Sequence, residues 1–64
     1  MEKVISNINL IQKQNCISND YISSQLEISV RDYNKLLSGK SEIKLSKLSK
    51  IASILRVDLQ DFFL

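Results

Sequence analysis

The stretch ISVRDYNKLLSGKSEIK, residues 28–44, holds the only glycine of a 64-residue chain and four of its nine lysine and arginine residues. It reads as one helix followed by a stop. Ser29 suits the N-cap, and Asp32 three residues later has capping-box spacing, so Asp32 is read as a cap rather than a functional acid. Stepping about 100° per residue from Val30 places Tyr33, Leu36 and Leu37 on one side, with Val30 at the border. Arg31, Asn34, Lys35 and Ser38 fall on the other. Gly39 then fits the left-handed position past a helix end, which glycine adopts without steric cost. A helix over residues 29–38 with an apolar inside and a polar outside is expected.

The flanking sequence supplies its neighbours. A helix from about Glu2 to Gln14 is predicted from Val4, Ile8 and Ile11 at i, i+4, i+7, with Ile5 beside them. Ser18 suits the N-cap of a short second helix, Asp20 in its first turn complements the helix dipole, and Ile22 and Leu26 make its inner edge. A break follows at Glu27–Ile28. A fourth helix over about Leu45 to Leu55 sets Leu45, Leu48, Ile51, Ala52 and Leu55 on one face, and Lys44 is a poor cap for it. "DLQD" at Asp58–Asp61 repeats the capping logic for a short fifth helix, with Val57 and Phe62 as a hydrophobic staple.

Composition narrows the class. Zero proline and one glycine oppose a turn-rich β design. The expectation is one all-α domain spanning residues 1–64, of a size whose stability margin is thin. With no histidine and a single cysteine, Cys16, there is no internal disulfide, no Cys/His metal site and no histidine acid–base chemistry. Cys16 is read as a small buried apolar residue. No glycine-rich phosphate loop or paired-acid constellation marks an enzyme, and no catalytic, cofactor or metal site is expected. There is no signal-like run and no membrane-length apolar stretch, which gives the cytoplasm as the expected compartment.

The net charge of +2 is unevenly spread. Residues 31–50 carry Arg31, Lys35, Lys40, Lys44, Lys47 and Lys50 against Asp32 and Glu42, a local +4, while each flank is −1. A basic third of the chain suits a polyanion-binding face, and equally a solvated lysine-rich surface. Arg31, Lys35 and Asn34 have the donors and acceptors that read guanine and adenine edges, and a helix fits the major groove. Periodicity alone leaves open an ordinary amphipathic helix with a polar outside.

From about Ile8 to Phe63 the chain resembles the Cro and phage-repressor type of helix-turn-helix domain. "CISNDYISSQLEIS" is similar to that family's second helix and turn, "YNKLLSGK" to its recognition helix ending in glycine and a basic residue, and "KIASILRVDLQDFF" to its closing helices. The resemblance implies a compact five-helix, lambda-repressor-like fold that binds double-stranded DNA. It places Val30, Arg31, Asn34 and Lys35 toward the major groove. Asn19 takes the place of a phosphate-contacting glutamine, and Lys40 and Ser41 that of a backbone-touching loop. With Ser38 of the polar strip, these are the candidate DNA-binding residues. Ile22, Leu26, Ile28, Tyr33 and Leu36 fall on core positions, and Ser23 where a small residue permits close helix contact.

The departures from the family pattern are specific. An arginine–glutamate pair common in the family is replaced by Gln12 and Leu37, so both charges are missing together. Glycines common at two turns are replaced by Glu27 and Arg56, which implies strain of about 1 kcal/mol or more wherever φ is positive. The function expected is a small sequence-specific transcriptional regulator, a repressor acting as a homodimer. Phe62, Phe63 and Leu64 either close the core or form part of the dimer seam. The alternative is a protein-interaction module or antitoxin-like partner that reuses the fold.

Overall fold

The computed structural model describes residues 2–39 and 42–64. Four α-helices follow in order: α1 (Glu2–Gln14), α2 (Asn19–Gln25), α3 (Val30–Leu36) and α4 (Leu45–Leu55). The element expected as a fifth α-helix is a 3₁₀ turn over Leu59–Phe63. Asp58 opens that turn with a complete capping box, its carboxylate on the Asp61 backbone and the Asp61 carboxylate on the Asp58 N–H. Five residues are too few for an α-helix to recover its nucleation cost, whereas a 3₁₀ turn closes with i→i+3 bonds.

The apolar stripes converge on one core. Ile8, Ile22, Tyr33, Ile51 and Phe62 are wholly buried, with Val4, Ile5, Leu26, Ile43, Leu48, Ala52 and Leu55 around them. Removing such a side chain from water contributes about 1.5–3 kcal/mol each. α1 packs chiefly on the 3₁₀ turn, α2 on α3 and α4, and α4 on the 3₁₀ turn. Asn7 fastens α1 to the end of the chain, its Nδ2 donating to the Phe62 carbonyl at 2.8 Å and the Leu64 carbonyl at 3.2 Å. Ser23 is buried where α2 is crowded, and its hydroxyl donates back to the Asp20 carbonyl at 3.1 Å.

The serine caps form as expected, but the Asp32 carboxylate does not return the bond, so the Ser29–Asp32 capping box is only half made. The Ser18 hydroxyl accepts from the Tyr21 N–H and the Ser29 hydroxyl from the Asp32 N–H. Lys44 offers no side-chain cap, as expected. The stops are less ordinary. Cys16, Glu27 and Arg56 all have left-handed backbone, with φ of 54°, 60° and 58°. Each is followed by a half-buried apolar residue, Ile17, Ile28 or Val57, whose N–H bonds back to Gln12, Ser23 or Ala52. This is the Schellman arrangement, built three times without glycine, with the apolar residue packed against the core each time. Gly39, at φ 80°, supplies the left-handed residue after α3.

Four expectations are corrected. Cys16 is exposed, because the left-handed stop swings it out and sends Ile17 inward instead. α3 ends at Leu36 with Leu37 as its cap, two residues short of Ser38. Leu45 is 63% exposed, since the first turn of α4 runs past the edge of the core. Phe62 closes the core, but Phe63 and Leu64 lie on the surface.

Candidate nucleic-acid interface

α3 is short, and the residues on its two sides could hardly differ more. Tyr33 is wholly buried, and Leu36 and Leu37 pack against the core. Arg31, Asn34, Lys35 and Ser38 are all exposed, and Val30 is half-buried between the two sides. The 3.6-residue period thus puts the strip in solvent with a rigid floor beneath it. Ser38, just past the helix, donates its hydroxyl to the Lys35 carbonyl at 2.6 Å and closes the last turn. Lys40 and Ser41 lie outside the described residues.

The strip adjoins the other lysines. Lys35 of α3, Lys44 before α4 and Lys47 within it surround one shallow depression, together with Asp32, Leu36, Glu42 and Ile43. Sequence charge counting found the basic segment. The fold gathers part of it, since residues of α3 and of the approach to α4 line one depression. A polyanion lying along α3 would meet cations from both helices.

Behind the strip lies a row of polar groups that sequence reading did not anticipate. Gln12 of α1 is buried. Its Oε1 accepts from the Tyr33 hydroxyl at 2.9 Å, and its Nε2 donates to Asn19 Oδ1. Asn19, half-buried at the first turn of α2, passes the chain on: its Nδ2 donates to Asn34 Oδ1 at 3.3 Å. Three helices are thereby joined through neutral side chains. Among the described residues no buried side-chain nitrogen or oxygen lacks a partner. Burial pushes the Tyr33 phenol up to about 12, so it stays protonated and available as a donor.

This row explains the paired departure at Gln12 and Leu37. A buried ion pair must recover a large desolvation cost, and half of one is worse still. Here Gln12 turns to Tyr33 and Asn19 instead, and Leu37 joins the hydrophobic periphery. A glutamine one turn after Ile8, inside the apolar stripe of α1, was the visible signal for such a network.

The geometry is therefore two short helices at a tight turn, the second with a polar outer strip, carried by flanking helices. A helix-turn-helix family model matches residues 13–62, more than three quarters of the chain. The chain belongs to the Cro/C1-type helix-turn-helix family. That family is one of DNA-binding transcription regulators. Among curated proteins and solved structures no match was found. No helix among the described residues is long and apolar enough to cross a membrane.

Proposed function

We propose that this chain is a sequence-specific double-stranded DNA-binding protein, a cytoplasmic repressor that sets α3 in the major groove. One observation carries the reading: Arg31, Asn34 and Lys35 stand exposed on one side of α3 while Tyr33 is wholly buried on the other. Arg31, Asn34 and Lys35 read base edges, with Val30 and Ser38 at the margins of the contact. Asn19, Lys40 and Ser41 meet the phosphates and set register. Lys44 and Lys47 add affinity by displacing counterions, which makes binding fall with salt.

So small a module makes few contacts, and the reading includes a homodimer on two half-sites about one helical turn apart. Phe63, 53% exposed, and Leu64, 76% exposed, form its seam. The same exposed pair supports the second reading, a module that docks on another protein. Selection of bound duplexes from a random pool at low salt separates the two. A recovered palindrome supports the dimeric DNA reader, and recovery of no duplex defeats it in favour of the protein-docking module.

A further inference from the structure

We infer, on the strength of the DNA-binding reading above, that Tyr33 acts through Gln12 and Asn19 to fix which end of the Asn34 amide faces DNA. The NH2 end faces out, and Asn34 selects a base edge that offers an acceptor alone.

A side-chain amide has two unlike ends, an accepting oxygen and a donating nitrogen. Once one end is engaged, the other is committed to the opposite direction. The Tyr33 hydroxyl donates to Gln12 Oε1 at 2.9 Å, which turns Gln12 Nε2 toward Asn19 Oδ1. Asn19 must then present Nδ2 to Asn34, and it does so to Asn34 Oδ1 at 3.3 Å. The oxygen of Asn34 is held inward and its nitrogen is left for the exposed side of α3.

The opposite polarity would run every bond backwards and make the phenol an acceptor. Its own hydrogen would then need a second acceptor. Tyr33 is wholly buried, and Gln12 Oε1 is the acceptor it reaches among the described residues. A buried donor without a partner bears its full desolvation cost, so the phenol sets the direction for the row. The phenol keeps that hydrogen across the working pH range, because burial pushes it up to about 12. Tyr33, Gln12 and Asn19 are thus positioning residues, and Asn34 is the group that touches base.

The expected base at the Asn34 position is guanine or thymine, which put an acceptor, O6 or O4, where adenine and cytosine put an amino donor. The test is selection from a random duplex pool with the wild-type chain and three variants. Asn34→Ala should flatten one position only, by about three- to tenfold. Asn19→Asp puts an acceptor on both sides, so Asn34 must donate inward and turn its oxygen out. The favoured base at that one position should then change to adenine or cytosine, which offer an N6 or N4 amino donor. Tyr33→Phe, if folded, should weaken the preference there and nowhere else.

Each contrary result overturns the inference: no Asn34-dependent position, adenine at it in the wild type, no change of base with Asn19→Asp, or full preference kept by a folded Tyr33→Phe. Failure of the wild type to recover any duplex overturns the DNA reading itself and this inference with it. Should the variants not fold, side-chain amide exchange in the free wild type decides. Gln12 and Asn19 should each show a protected amide proton and Asn34 none, and added protection at Asn34 means the polarity is reversed.

Discussion

The Tyr33 hydroxyl donates to Gln12 Oε1 at 2.9 Å, joining α3 to α1 across 21 residues of sequence. Both groups are buried, so each is the other's substitute for water. Removing either alone strands its partner, and removing both leaves an apolar contact between them, with half-buried Asn19 alone giving up a donor. Gln12→Leu and Tyr33→Phe should each destabilise by about 1–3 kcal/mol, and the double variant by clearly less than their sum. Denaturant melts of the four proteins give the coupling directly. Strict additivity would mean the bond contributes nothing.

Tyr33 also predicts a pH dependence. In the unfolded chain a phenol titrates near 10, and in the fold this one titrates near 12. Below pH 10 it is neutral in both states and its contribution is whole. Between about 10 and 12 the unfolded chain binds fewer protons, so stability falls as pH rises, with a slope approaching about 1.4 kcal/mol per unit. Tyr33→Phe lacks that slope. Melts of the two proteins from pH 8 to 11.5 should show their difference in stability shrinking above pH 10.

The left-handed helix stops give a third expectation. Glu27→Gly should raise stability by about 1 kcal/mol, because it removes both the Cβ penalty and an anion from the negative end of α2. Arg56→Gly relieves the same penalty but gives up a cation at the end of α4, which is worth about 0.3–1 kcal/mol there. Its gain should be the smaller of the two. Thermal melts check both, and a lower melting temperature for Glu27→Gly with the fold intact would contradict the strain argument.

Base reading by Arg31 is separable from charge. Arg31→Ala should cost about 1–3 kcal/mol on the preferred duplex and level the difference between that duplex and a variant at one position. Titration of both duplexes measures it. Equal loss on the two would assign Arg31 to phosphate alone.

Much of this was legible in the chain. The bounds of α1 and α4, the caps at Ser18 and Ser29, the left-handed Gly39 and the split faces of α3 follow from periodicity and cap chemistry. Glu27 and Arg56 stood out because the resemblance put glycine there. Cys16 did not, and a third left-handed stop went unread. Ile43 and Leu45 were harder. Ile43 is buried from a loop and Leu45 exposed from a helix, and burial there depends on which way the incoming chain passes the core. The row from Tyr33 to Asn34 was out of reach for another reason: it joins residues that only the packing of three helices brings together.

The three non-glycine stops offer an experimental handle. Cys16, Glu27 and Arg56 lie between or beyond helices, and none belongs to the exposed strip of α3. Replacing them singly and together yields a graded series whose robustness varies while the contact surface stays constant. Occupancy of a target in such a series would follow the folded fraction alone, so the chain's intrinsic strength as a ligand for its target could be read apart from its durability.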